Sequence, residues 1–502
     1  MLEITIWVVD FDWESLPSAK RWLNHPLKSG ARMNAKSQLV AGVDTSTQSV
    51  KVVIRDAQSG QVIREGRAPH PDGSEVDPAH WWSATEDAIK MAGGLDDVSA
   101  IAVAGQQHGM VALDKSGKVI RPALLWNDTR SAAEAAELNS EMGGSAEIAK
   151  AVGSSLVASF TASKVRWLAK HEPANAAQVA AIALPHDWIS WKISGSESIA
   201  DLFTDRGDAS GTGYFDSVSN KYREDIFQLA IGSKQEITFP RIVEPKVFAM
   251  KTKTGIPIAA GTGDNAAAAI GVGAQPGDVV VSLGTSGTAF AVSTTPTHDA
   301  SGEVAGFADG TGYFLPLVCT LNAARILDAA TRILGVTHDQ LGELALKAEP
   351  GANGLTLLPY FEGERTPNRP DATGVFSGMN LNNSNPENLA RSMIEGMLCG
   401  MADAVNSLEK LGVEVKRILL VGGAAKNPAV GKIASAIFGR EVLIPPPGEY
   451  VAIGAAKLAA WALLGSDRPP QWDLGNVESI KEKSTPEVLI KYRKLRDQTQ
   501  GW

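Results

Sequence analysis

The chain predicts an α/β fold divided between two similar domains that face a common cleft. Three observations carry this. Strand-like and helical runs alternate along most of the sequence, the mark of α/β architecture. A strand–turn–strand device occurs twice, at residues 39–54 and again at 279–292. A glycine-rich stretch ending in Gln275-Pro276-Gly277-Asp278 lies between the two copies and reads as a turn at a domain boundary.

Each element has a local reason. Residues 39–68 contain three β-rich runs broken by Ser49 and by Asp56-Ala57-Gln58-Ser59-Gly60, which predicts a β-meander. A helix is expected over 81–92, a buried strand over 98–103 and an amphipathic helix over 161–170. The second half repeats the plan, with strands at 279–292, 354–358 and 416–421 and helices at 386–411, 450–464 and near Tyr492. Residues 1–37 are polar apart from Trp7, Trp13 and Trp22, and Met33 stands just before the first convincing strand. They are expected to be a dispensable N-terminal extension, followed by one domain over 38–275 and a second over 276–502.

Composition narrows the function. At 502 residues the chain exceeds what one core supports. With 44% hydrophobic and 21% charged residues it reads as an ordinary globular enzyme. A net charge of -9 argues against a nucleic-acid partner, because phosphate-backbone binding needs a basic surface. No apolar run reaches membrane-span length and the N-terminus lacks signal-peptide features, so no membrane partner and a cytoplasmic location are expected. Cys319 and Cys399 stand outside metal-ligand spacing and read as buried free thiols.

The repeated turns carry the chemistry. The first, Asp44-Thr45-Ser46-Thr47, and the second, Gly284-Thr285-Ser286-Gly287, present hydroxyl and backbone N–H donors suited to phosphate. Asp44 would repel phosphate unless Mg²⁺ stood between them; the plainer alternative is a local turn hydrogen bond. The second turn has Gly284 where the first has Asp44, and meets phosphate directly. Gly261-Thr262-Gly263-Asp264-Asn265 is a tight turn opening a helix. There the helix dipole keeps the Asp264 carboxylate ionised and able to accept a proton, unless it is simply an N-cap. Gly105-Gln106-Gln107-His108-Gly109 sits at a strand's carboxyl end, where α/β folds collect ligands, and its amides and imidazole suit a polyhydroxylated one. Trp126-Asn127-Asp128-Thr129-Arg130 is either more of that wall or an Arg–Asp structural pair. Small residues over 421–427 admit a base or ribose, while the absence of G-x-G-x-x-G and G-x-x-x-x-G-K-[ST] patterns excludes Rossmann and P-loop sites.

Taken with two long stretches, these residues resemble the FGGY family of carbohydrate kinases over residues 39–495. The first stretch is 159–171, with Thr161, Lys164 and Trp167. The second runs from Gly374 to Met379 and continues in 388–395. Gln106-Gln107-His108-Gly109, 125–130 and 362–367 point to the branch that phosphorylates D-xylulose at O5. The resemblance implies an actin-like ATPase fold of two ribonuclease-H-like domains. It implies Asp264 as catalytic base and sugar contact, with Gln107, His108 and Asn265 as further sugar contacts. Thr45, Thr47, Gly284, Thr285 and Ser286 would lie by the ATP phosphates, Gly422, Gly423 and Asn427 by the adenosine, and Asp44 by Mg²⁺. The implied partners are the sugar and ATP, and a homodimer is compatible with it. A sibling kinase acting on ribulose, glycerol, gluconate or another polyol is the alternative. A non-catalytic nucleotide-switched sensor is a second, disfavoured because it would not need both Asp44 and Asp264.

Overall fold

Two seven-stranded mixed sheets organise the protein, whose computed structural model describes residues 38–501. The expected extension at 1–37 lies outside the described residues. Among strands of the large sheets, β1 (Leu39–Thr45), β2 (Ser49–Asp56) and β3 (Val62–Pro69) form the expected antiparallel meander. β4 (Val98–Gly105) pairs parallel to β1. β5 (Phe248–Lys251), β6 (Pro257–Ala259) and β7 (Thr262–Gly263) complete the sheet, in the order β5-β6-β4-β1-β2-β3 with β7 also beside β4. β1 and β4 are buried almost throughout, hence their near-continuous apolar sequence. The edge strand β3 instead carries Arg64, Glu65 and Arg67, which blunt it.

The second sheet uses β8 (Asp278–Leu283), β9 (Gly287–Ala291), β10 (Val304–Ala308), β11 (Phe314–Thr320), β12 (Arg417–Val421), β13 (Val442–Ile444) and β14 (Glu478–Ile480). Its order is β10-β11-β9-β8-β12-β13-β14, antiparallel from β10 to β8 and parallel from β8 to β13. A central strand flanked by a meander on one side and parallel strands on the other is therefore built twice. The strand expected at 354–358 is shorter, Thr356–Leu358, and pairs with Val375–Ser377 in a small separate sheet.

Two helices tie the halves together. α1 (Asp264–Gly271) starts at the base loop, and α2 (Tyr450–Leu464) belongs to the second half of the chain yet packs on α1, β1 and β4 of the first. That burial explains why α2 is apolar on every face. The approach is close: a Cβ on Gly454 would fall 1.8 Å from the Ala267 carbonyl oxygen, and one on Gly42 would fall 2.1 Å from that of Ala452. Lys457 is the one cation inside α2. Its Nζ donates to the Ile270 and Gly271 carbonyls at 3.1 Å each, satisfying the C-terminus of α1. No helix of the described residues is long and apolar enough to cross a membrane.

Candidate active site

The end of β1 brings Asp44 to the first turn in a fully buried position. Ser46 Oγ donates to one carboxylate oxygen, and Lys51 Nζ lies 3.3 Å from the other. Lys51 is the direct cross-strand partner of Asp44 and also pairs, at 2.7 Å, with Glu449 at the start of α2. Both readings of Asp44 thus have a physical basis: it makes the local turn bond and remains a buried carboxylate beside the cleft. Thr47 Oγ1 accepts from Trp126 Nε1 at 2.9 Å. Thr45 points elsewhere, its hydroxyl buried without a partner.

Asp264 is the first residue of α1 and not its cap, a position held by Gly263. The N-cap alternative is therefore set aside. Its Oδ1 accepts from the Asn265 backbone N–H at 2.8 Å and from Asn265 Nδ2 at 2.9 Å. The expectation that the helix dipole keeps it ionised is also corrected. Burial, with the nearby Asp44 charge, raises its pKa to about 7, because desolvation outweighs the two hydrogen bonds and the dipole.

A buried ionic cluster supports the base loop from beneath. His186 Nδ1 is 2.8 Å from Asp208 and 3.1 Å from Asp187, and Nε2 is 3.0 Å from the Ala260 carbonyl oxygen. Burial opposes charge on this ring, but Asp187 and Asp208 prevail and hold its pKa well above the usual value. Gly261 lies against the ring with φ +72°, and Thr262 Oγ1 donates to Asp205 at 2.8 Å. The loop carrying Asp264 is thereby seated on a fixed polar platform.

Gln107 and His108 follow β4. Gln107 Oε1 accepts from Asn265 Nδ2 at 3.3 Å, linking the amide pair to the base loop. His108 has φ +67°, an unusual backbone for a non-glycine residue and typical of strained functional positions. Its ring packs on Phe160 and Phe307, and Nδ1 lies 2.6 Å from the Gly211 carbonyl oxygen. Burial, aided by Lys164, lowers its pKa to about 3, so the ring is neutral and Nε2 is left as an acceptor. The 126–130 segment plays both of its expected parts: Trp126 lines the cavity, while Asp128 and Arg130 form an ion pair at 2.9 Å.

These side chains surround a cavity of about 300 Å³. Thr47, Gln107, His108, Asp264 and Asn265 reach it from the first half, and Ser282, Ser286, Thr288 and Arg365 from the second. Asp44, Thr45, Gly284, Thr285, Gly422, Gly423 and Asn427 stand outside that lining. Thr285 is exposed at the tip of the second turn, and Gly422 and Gly423 are open beside it. Gly422 approaches Leu283 so closely that a Cβ would lie 2.6 Å from its carbonyl oxygen. Asn427 is committed elsewhere: its Oδ1 caps the helix Pro428–Phe438 and its Nδ2 donates to the His338 carbonyl at 2.7 Å. Cys319 and Cys399 are buried free thiols, as expected, and Cys319 also borders the cavity.

Sequence reasoning missed Lys51, Glu449 and Arg365. The first had a signal, a single cation within the apolar run Val50-Lys51-Val52-Val53-Ile54. The other two are brought in by the second half from far along the chain. A hard divalent cation fits the Asp44 end, where two buried carboxylates lie close enough for one to raise the other's pKa. The three-residue cluster of ligand-type side chains found among the described residues, His186, Asp187 and Asp208, is instead the ion-paired platform.

Two facing sheets of one topology, a hydroxyl-rich turn on each and a carboxylate between them define an actin-like phosphotransferase cleft. The FGGY family of carbohydrate kinases matches in both parts, its N-terminal domain over residues 39–271 and its C-terminal domain over 279–463. The chain belongs to that family and is a carbohydrate kinase. It is 42% identical to the xylulose kinase of Streptomyces coelicolor over 86% of this chain and 90% of that one. To the Escherichia coli xylulose kinase it is 34% identical over 83% and 89%. The crystal structure of xylulose kinase from Bifidobacterium adolescentis superposes with a TM-score of 0.86 at 48% identity, covering 92% of this chain and 99% of that one.

Proposed function

We propose that this kinase transfers the γ-phosphoryl group of ATP to O5 of D-xylulose. The observation that carries the reading is Asp264, a carboxylate with a pKa near 7 at a cavity walled by Gln107, His108 and Asn265. A base poised near the working pH accepts a hydroxyl proton as that oxygen attacks phosphorus. The similarity to xylulose kinases over most of the chain supports the choice of ketose.

Each residue then has a defined task. Asp264 Oδ2 takes the O5 proton, while Oδ1 stays held by Asn265. Gln107 and the neutral His108 ring fix sugar hydroxyls, the ring as acceptor through Nε2. Ser286 and Thr285 donate to the phosphates, with Thr47 opposite them. Gly422 and Gly423 leave room for the adenosine, and Asn427 supports that site indirectly by holding the following helix. Asp44 would hold Mg²⁺, which when bound supplies charge neutralisation on the phosphates. Transfer of this kind depends chiefly on positioning and electrostatics, so approach of the two halves serves to align the reactants and exclude water. The boundary near 275 is proposed as the division between the two moving parts. The free thiols fit a reducing, cytoplasmic setting.

ADP release measured against a panel of ketoses and polyols tests the assignment. D-xylulose is expected to give the highest kcat/KM. A higher value for ribulose, glycerol or gluconate overturns the substrate, and ADP release indifferent to every acceptor overturns the kinase reading.

A further inference from the structure

The Arg365 guanidinium lines the sugar cavity but originates in the second half of the chain, opposite Gln107, His108, Asp264 and Asn265. Its backbone is firmly held. Glu364 accepts from the Arg365 and Leu321 N–H groups at 2.7 Å each, and Asn322 Nδ2 bonds both Glu364 and the Gly363 carbonyl. The side chain is not. Its hydrogen bond to Ser159 Oγ is long, at 3.3 Å, its other polar neighbour is the Cys319 thiol, and among the described residues no carboxylate forms an ion pair with it. Guanidinium has five donors, so most of them face the cavity without a protein acceptor. Its charge acts on His108 and Lys164, whereas the charge acting on Asp264 is that of Asp44. Arg365 therefore occupies the His108 side of the cavity, away from the carboxylates of the phosphate end.

We infer that Arg365 binds the 1-hydroxy-2-keto end of the ketose, donating in a fork to O1 and the C2 carbonyl oxygen. This rests on the proposed reaction, which places O5 at Asp264 and so leaves the opposite end of the sugar for the far wall. A planar fork of donors matches two vicinal oxygens in a way that an ammonium does not. The acceptor is then gripped by both halves at once: sugar binding draws Arg365 toward the first half, and a polyol without the carbonyl forfeits one of the two bonds.

The test compares Arg365→Ala, Arg365→Lys and Ser159→Ala with the wild type, using D-xylulose and its 1-deoxy analogue. Wild-type turnover on D-xylulose is read first. Its absence overturns the substrate assignment alone, and the variants are then measured on the acceptor that the panel identifies. Arg365→Ala should raise the sugar KM about 10- to 100-fold, the range for a charged hydrogen-bonding group, with the ATP KM far less affected. Arg365→Lys should recover only part of this. The wild type should lose affinity for the 1-deoxy analogue, whereas Arg365→Ala should treat the two sugars nearly alike. An unchanged sugar KM in Arg365→Ala overturns the inference. So does a Ser159→Ala variant that reproduces the whole defect, since Arg365 would then be only a tie between the halves. The wild-type comparison needs no variant to fold: equal KM values for D-xylulose and the 1-deoxy analogue also overturn it.

Discussion

The two phosphate turns share a strand plan but not a chemistry. Counting back from the last ladder pair of each hairpin, Asp44 opposite Lys51 in the first corresponds to Ser282 opposite Thr288 in the second. Sequence alignment of the turns had set Gly284 against Asp44. Ladder register assigns Ser282 instead, because the second turn is one residue shorter. A charged pair in one half is thus matched by a hydroxyl pair in the other. The first turn is closed, with Asp44 buried and bonded by Ser46 and Lys51. The second is open, with Thr285 exposed and Ser282, Ser286 and Thr288 reaching or bordering the cleft. Duplication supplies two turns, and divergence separates a site that manages charge from one that offers neutral donors.

The comparison is broken most sharply at the carboxylate between the turns. Asp264→Ala is expected to lower kcat by about 10²–10⁴-fold, the usual contribution of a positioned base, while ATP still binds. Near-normal turnover would remove Asp264 from the chemistry. Asp44→Asn should be nearly as damaging to kcat and should raise the Mg²⁺ concentration needed for half-maximal rate. It also carries a pH signature. Removing the Asp44 charge makes Asp264 easier to ionise, so the acid limb of kcat/KM, expected near pH 7 in the wild type, should move to lower pH. An unmoved limb would show that the two carboxylates do not communicate.

Much of this pairing was legible in the sequence, for a physical reason. Asp44, Gln107, His108 and Asp264 lie at the ends of apolar strands or the start of a helix, where local pattern fixes where a side chain emerges. The fold was legible for the same reason: β1, β2, β3 and β4 announce themselves by period and composition. What could not be read were effects of the surroundings. The dipole argument for Asp264 omitted burial and the neighbouring Asp44 charge. Asn427 looked like a ligand contact because its short-range setting resembles one, yet its amide closes a helix end and meets His338 from elsewhere in the chain. Arg365 and Glu449 reach the cleft only through tertiary folding.

Smaller effects sharpen the contrast between the walls. His108→Ala should raise the sugar KM about tenfold with a smaller change in the ATP KM, since it removes one buried hydrogen-bonding group. Thr285→Ala should do the reverse, raising the ATP KM by a few-fold with little change for sugar. Equal effects on both substrates from either variant would contradict the division of the cleft into a sugar wall and a phosphate turn.

The smallest effect concerns stability and isolates the cost of keeping Asp264 ready. Its pKa is about 7 in the folded protein against 3.8 for the unperturbed group, so the folded state holds this proton more tightly than the unfolded state. The favourable contribution is complete below about pH 4, declines as pH rises toward 7 and is then lost. Asp264→Asn removes that titration. The variant should melt above the wild type by a margin that widens between pH 5 and pH 8, because only the wild type must bury a full charge at the higher pH. Water in the cavity screens part of this, leaving a change in the difference of about 2 kcal/mol, or a few degrees in a protein of this size. Melting curves of the ligand-free proteins at the two pH values measure it. Parallel behaviour would mean that the carboxylate is already ionised at pH 5, and the base would then owe its reactivity to position alone.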